Sequence, residues 1–285
     1  MSKRTLTILL SIGFVFISLS CVSTSVYNNQ NRDVVTERLE INSAEGSIAV
    51  VIQHPSLLEN EKCPVVVLMH GFASSKENPL INNLSRKLLL NGVAVIRFDF
   101  NGHGQSYGSF QNMTILSEVK DAKAVLLYVQ SLPYAEEIAL VGHSQGGVVA
   151  SILAGEQSSI VNSLVLFAPA AMLEQQAKDG RLLGVEFDPE NIPDYIRVYN
   201  HRLGRKYILE AQNLNIYSSA SSYKGPVCLL HGKSDRVVPF SCSENYHEIY
   251  QNSELYLIKG EDHGFRRHRN NATDIALNFL LENLF

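Results

Sequence analysis

The chain has 285 residues, 45% of them hydrophobic and 18% charged, which suffices for one large globular domain of ordinary composition. A formal net charge of -4 speaks against a nucleic-acid binder, which needs a basic surface. The cysteines Cys21, Cys63, Cys228 and Cys242 form no C-x-x-C pair, so neither a disulfide framework nor a zinc site is indicated.

At the amino end, Lys3 and Arg4 precede an uncharged run over 5–20 that closes on Ser18-Leu19-Ser20-Cys21. A positive start, an apolar stretch and small residues before a cleavage point read as a secretory signal over 1–20. The run is short for a membrane span of ~20 residues. Cys21 stands where a bacterial lipoprotein is cleaved and acylated, although Ser18 occupies a place where Leu is usual. Export is therefore expected, either as a cell-envelope lipoprotein anchored in the membrane through acylated Cys21 or as a secreted or periplasmic protein. Residues 21–33, polar and rich in Asn and Ser, read as a tether to a domain over 34–285.

That domain opens with β-type alternation over 34–54 around Ala44-Glu45-Gly46, a hairpin. Pro64-Val65-Val66-Val67-Leu68-Met69 is a continuous apolar run, as in a strand buried on both faces of a parallel sheet. It leads into His70-Gly71-Phe72. A helix over 78–90 stops at Asn91-Gly92, a strand follows over 93–99, and a helix over 114–129 carries Glu118, Asp121 and Lys123 on its expected wet side. Ile138-Ala139-Leu140-Val141 is the next strand, then Gly142-His143-Ser144-Gln145-Gly146, then a small-residue helix. After the strand 164–168 the pattern changes: residues 170–222 are richer in charge, Gly, Tyr and Asn and read as an inserted cap. Alternation resumes with the strand 227–230, the loop His231 to Asp235, the helix 240–250, the strand 255–258, the loop Glu261-Asp262-His263-Gly264 and a final helix over 271–284. Strand and helix alternating throughout predict an α/β fold: a mostly parallel central sheet with helices on both faces.

Strand, G-x-S-x-G and helix form the context of a nucleophile elbow, which presents Ser144 at the carboxyl end of the sheet. A serine hydroxyl needs a base, and the base needs an orienting acid. In the order Ser, acid, His that this architecture uses, Asp235 is the acid that immediately follows a strand, and His263 follows the last strand. Asp179, Asp188 and Asp194 lie in the insertion, Asp262 points elsewhere from its place beside the histidine, and His247 and His268 fall on a helix and in a basic stretch. The expected oxyanion donors are the backbone N–H of Gln145, which follows the nucleophile, and that of Phe72 in the loop after the first buried strand. His70 and His103 lie on different loops without metal-ligand spacing, and His143 reads as packing. Arg266-Arg267-His268-Arg269 reads as a solvated face.

Together, His70-Gly71-Phe72, Asp99-Phe100-Asn101-Gly102-His103-Gly104, Gly142-His143-Ser144-Gln145-Gly146-Gly147 and Pro226-Val227-Cys228-Leu229-Leu230-His231-Gly232 resemble the cinnamoyl/feruloyl esterase group of α/β-hydrolases. So do the cap segments Gly184-Val185-Glu186-Phe187-Asp188-Pro189, Ile192-Pro193-Asp194 and Tyr207-Ile208-Leu209-Glu210-Ala211-Gln212, and the likeness runs from residue 34 to the end. The resemblance implies an α/β-hydrolase fold with a cap (lid) subdomain. It implies cofactor-free hydrolysis of hydroxycinnamoyl esters of polysaccharide or small alcohols, with Tyr207 and Asp179 as polar contacts for the phenolic end. The alternatives are a general acyl-ester or monoacylglycerol hydrolase and, in another class, a ligand-binding surface lipoprotein without activity. A peptidase is disfavoured, because no device for positioning a peptide is visible.

Overall fold

In this computed structural model the described residues are 19–25, as backbone, and 33–285. The stretches expected to be a signal (1–20) and a tether (21–33), with Cys21, therefore lie outside the described residues, save Asp33 and the backbone of 19–25.

The strands in chain order are β1 (Leu19–Ser25), β2 (Val34–Ser43), β3 (Gly46–Pro55), β4 (Cys63–Met69), β5 (Ala94–Phe98), β6 (Ala135–His143), β7 (Ser163–Phe167), β8 (Arg181–Leu182), β9 (Val185–Glu186), β10 (Tyr195–Val198), β11 (His201–Gly204), β12 (Val227–Gly232) and β13 (Ser253–Ile258). The helices are α1 (Pro79–Leu90), α2 (Ile115–Ser131), α3 (Gln145–Glu156), α4 (Met172–Lys178), α5 (Arg205–Ala211), α6 (Ile216–Ala220), α7 (Ser241–Ile249) and α8 (Arg269–Leu284). One sheet runs in the order β1-β2-β3-β5-β4-β6-β7-β12-β13. Its leading strands pair antiparallel, and from β5 to β13 every neighbour is parallel. This is the α/β-hydrolase arrangement of a mostly parallel sheet wrapped by helices.

The fully buried run of β4 explains why no alternation marks it in the sequence. Val65, Val67 and Met69 join the apolar cluster of Val119, Ala122 and Leu126 from α2 and Val148 and Val149 from α3. Val66 and Leu68 face the other way, to Leu84 and Leu88 of α1 and Ala276 and Leu280 of α8. Successive side chains of a strand point to opposite faces, so a strand between two helical layers must be apolar at every position. Each such buried aliphatic side chain contributes roughly 1.5–3 kcal/mol.

Helix ends follow their local chemistry. Asn78 caps α1, accepting from the Leu80 N–H, with Pro79 as first residue. Thr114 caps α2 through a reciprocal box with Ser117. Two acids expected on the wet side of α2 are instead buried, Glu118 at 1% and Asp121 at 0% exposure. Asp121 is satisfied by Ser43 Oγ and by the backbone and side-chain N–H groups of Asn101. Hydrogen bonding, rather than solvent, is what makes these acids tolerable.

Between β7 and β12 the chain builds α4, the two small ribbons β8–β9 and β10–β11, α5 and α6. Leu173, Leu182, Ile196, Leu203 and Ile208 from this segment belong to the same apolar cluster as α2 and α3, so the segment shares the main core on that side of the sheet.

Candidate active site

Strand order reverses about β4: β5 lies on one side of it and β6 on the other. In open parallel sheets, the crevice at the carboxyl ends of such strands is where ligands bind. The loops leaving β4 and β6 carry Phe72 and Ser144 into that crevice.

Ser144 has φ 57° and ψ -120°, a strained conformation for a residue with a side chain. The turn requires its flanking glycines. A Cβ on Gly142 would lie 2.2 Å from the Gly146 carbonyl oxygen, and one on Gly146 would lie 2.3 Å from that of His70. The Ser144 N–H donates to Phe167 O at 2.9 Å, anchoring the turn to β7, and α3 begins at Gln145 with its N-terminus at the hydroxyl.

The structure brings the three expected side chains together from residues far apart in sequence. His263 Nε2 lies 3.0 Å from Ser144 Oγ, and its Nδ1 lies 2.7 Å from Asp235 Oδ2. The Asp235 side chain is wholly buried, whereas that of His263 is 19% exposed. Asp235 Oδ1 accepts from the N–H groups of Val237 and Val238 at 2.8 and 2.9 Å. Burial pushes the Asp235 carboxyl up, but hydrogen bonds from His231 and His263, the His263 charge and the Val238 N–H outweigh it and hold the acid well below the usual carboxylate range. The neighbouring acid, Asp262, turns away to accept from Arg266 Nε at 2.8 Å. His143 packs its ring 5.0 Å from that of His263 and also donates from Nε2 to the His263 carbonyl at 2.9 Å, a contact that the sequence reading as simple packing lacked.

Among the described residues, the Phe72 and Gln145 N–H groups have no protein acceptor. Gly71 abuts the nucleophile, since a Cβ there would lie 2.9 Å from Ser144 Cβ. His70 fixes the peptide that joins Gly71 to Phe72. The Phe100 N–H donates to His70 Nε2 at 3.2 Å, which leaves the ring proton on Nδ1, and Nδ1 donates to the Gly71 carbonyl at 2.9 Å. In a trans peptide the N–H points opposite to the C=O, so the Phe72 N–H is held in one direction. Burial holds His70 near a pKa of about 3 and His103 near about 4. Neutral imidazoles with centroids 5.0 Å apart and planes tilted by 59° fit this packing role.

Tyr207 is 1% exposed, and its hydroxyl donates to Gln145 Oε1 at 2.7 Å. Gln145 Nε2 donates in turn to Glu118 Oε2 at 2.8 Å, and burial pushes that carboxyl well above its ordinary range. The chain Tyr207–Gln145–Glu118 therefore ties α5 to the residue that follows the nucleophile. Glu118 shares a helical stripe with Ile115, Val119, Ala122 and Val125, all buried, and that spacing was the signal for it. Asp179 is not brought to this group: it is exposed at the end of α4 and accepts from Gln175 at 2.7 Å. The reason is local, because α4 stops there and its last turn faces solvent. Cys63, Cys228 and Cys242 are free and buried.

Residues 60–205 match the family described as serine aminopeptidase, S33. The structure of Est1E from Butyrivibrio proteoclasticus with ferulic acid bound is similar, with a TM-score of 0.82, 32% sequence identity, and 86% of this chain and 98% of that chain covered. Human protein ABHD12B is 27% identical over 67% of this chain, which spans about half, 51%, of that relative. Mouse monoacylglycerol lipase ABHD6 is 22% identical over 70% of each. The chain belongs to the serine aminopeptidase S33 family within the α/β-hydrolase superfamily and is a serine hydrolase of esterase type.

Proposed function

We propose that this protein is a carboxylesterase that hydrolyses hydroxycinnamoyl, ferulate-type esters through an acyl-enzyme. The observation that carries the catalytic part is the continuous line from Asp235 Oδ2 through His263 to Ser144 Oγ, at 2.7 and 3.0 Å. His263 Nε2 takes the Ser144 proton as Oγ adds to the ester carbonyl, and Asp235 holds the imidazole in the tautomer that leaves Nε2 free to accept. The N–H groups of Phe72 and Gln145 receive the oxyanion, each worth about 2.7–4 kcal/mol in sites of this kind. The intermediate collapses, the proton on Nε2 passes to the alcohol oxygen, and the alcohol leaves. Water then repeats the sequence on the acyl-Ser144 ester and releases the acid.

Two features support an aromatic acyl group. Beside the oxyanion loop, the Phe72 ring is 5.0 Å from Phe110 and 6.4 Å from Tyr207, and Phe110 is 4.3 Å from His201. The Est1E structure, 32% identical, holds ferulic acid. Tyr207 serves the site as the partner of Gln145; its hydroxyl is spent there rather than on the phenolic end of a substrate, and Asp179, turned to solvent at the end of α4, takes no part. Attachment to a membrane through acylated Cys21, export, and polysaccharide as the natural alcohol complete this reading.

A second reading, a general acyl-ester or monoacylglycerol hydrolase, is favoured by the likeness to mouse monoacylglycerol lipase ABHD6. Comparing kcat/KM on methyl ferulate with that on medium-chain p-nitrophenyl esters decides between them. Preference for ferulate supports the first reading; preference for the aliphatic esters supports the second. A Ser144→Ala protein is expected to lose roughly 10⁴-fold or more of kcat on either substrate, and wild-type rates from it would refute both.

A further inference from the structure

A second histidine lies beneath the acid. His231, on β12, is completely buried. Its Nε2 donates to the Val238 carbonyl at 3.0 Å and lies 3.2 Å from Asp235 Oδ2, the same oxygen that meets His263 Nδ1. Its Nδ1 is 2.7 Å from Ser243 Oγ on α7. Nε2 faces two acceptors and must carry a proton, whereas the Ser243 hydroxyl can donate to Nδ1. The ring is thus fixed with the positive end of an N–H dipole against Asp235.

We propose that His231 is a positioning residue that holds Asp235 and moderates the negative field the carboxylate exerts on His263. The physical reason is the sharing of one oxygen. Part of the Oδ2 charge is spent on the His231 N–H, so the imidazolium that forms at His263 is stabilised less than by an unshared carboxylate. His263 then stays neutral, and able to accept the Ser144 proton, to lower pH. The other groups facing this trio are neutral, engaged elsewhere or exposed. His143 on β6 lies against the His263 ring and is held uncharged by burial near a pKa of about 3. The buried Cys242 thiol on α7, near Asp235, is raised by burial. Asp262 is engaged by Arg266 and by the Gly264 N–H, and Arg236, next to Asp235, is exposed.

This inference rests on Asp235 and His263 acting as the acid–base pair, so its test reads charge directly as well as activity. The protein has nine histidines. The imidazole of His263 is titrated by NMR in the full chain, its resonance assigned by its absence from His263→Ala. In H231F, which keeps a ring and removes the N–H, the His263 midpoint rises by about half a pH unit or more, and the acid limb of kcat/KM on methyl ferulate moves to higher pH with it. H231Q, which can return an amide N–H towards Asp235, brings both back towards wild type. A purely structural role would lower the height of the profile and leave the midpoint in place. An unmoved or lowered midpoint in H231F overturns the proposal. If melting curves show that H231F does not fold, S243A takes its place: loss of the hydroxyl frees the ring, and the midpoint moves the same way by less, whereas an unmoved midpoint overturns the proposal. If methyl ferulate is not hydrolysed at all, the NMR titration still decides on His231 while the proposed activity fails separately.

Discussion

Asp235 accepts four polar contacts on two oxygens: two backbone N–H groups on Oδ1, and His263 with His231 on Oδ2. This density of donors keeps it ionised while buried and fixes the direction of His263. Asp235→Asn replaces an acceptor by an amide that cannot serve both histidines, and kcat is expected to fall about 10⁴-fold with the melting temperature much less affected. A loss smaller than tenfold in steady-state assays contradicts the assigned role. Tyr207 gives a different prediction. Its hydroxyl is spent on Gln145, so Tyr207→Phe leaves a buried acceptor unsatisfied and costs about 1–3 kcal/mol, read by urea denaturation. Unchanged stability would mean that Gln145 Oε1 finds another donor.

At the scale of elements, the sequence marked the strands, helices and loops that carry the chemistry, because their signals are local. The apolar run of β4, the Asn and Thr caps of α1 and α2, and the glycines around Ser144 each act within a few residues. The loops that bear Asp235 and His263 were legible for the same reason: each follows an apolar strand. Residues whose meaning depends on distant partners were not legible in this way. Glu118 and Asp121 carry charge and were placed in water, yet Gln145, Asn101 and Ser43 receive them inside. His231 gave no sign of its task, since Ser243 and Asp235 meet it only through the packing of α7 and the loop after β12. For Asp179 the family resemblance implies a polar contact, but the end of α4 turns it outward. The central strand offers a test of packing. Leu68, fully buried between α1 and α8, is expected to cost about 2–5 kcal/mol on truncation to Ala, measured as a shift in the urea midpoint at constant slope.

For the whole molecule, three buried histidines set the response to acid. Burial lowers His70, His103 and His143 to pKa values of about 3, 4 and 3. The unfolded chain protonates all three near the ordinary value of about 6.5, whereas the folded chain refuses the protons until far lower pH. Their contribution to stability is therefore complete above about pH 6.5 and declines as pH falls below it. Glu118 and Asp121, both raised by burial, act in the opposite sense and offset part of this. The balance predicts a loss of roughly 1–3 kcal/mol per pH unit between pH 6 and 5, seen by comparing urea midpoints across that range. A flat response would show that these imidazoles reach solvent. The central claim, that Ser144 is the nucleophile activated by His263, is tested most directly by a fluorophosphonate probe followed by peptide mapping. The account predicts one adduct, on Ser144, lost in His263→Ala; no adduct, or one on a different residue, would contradict it.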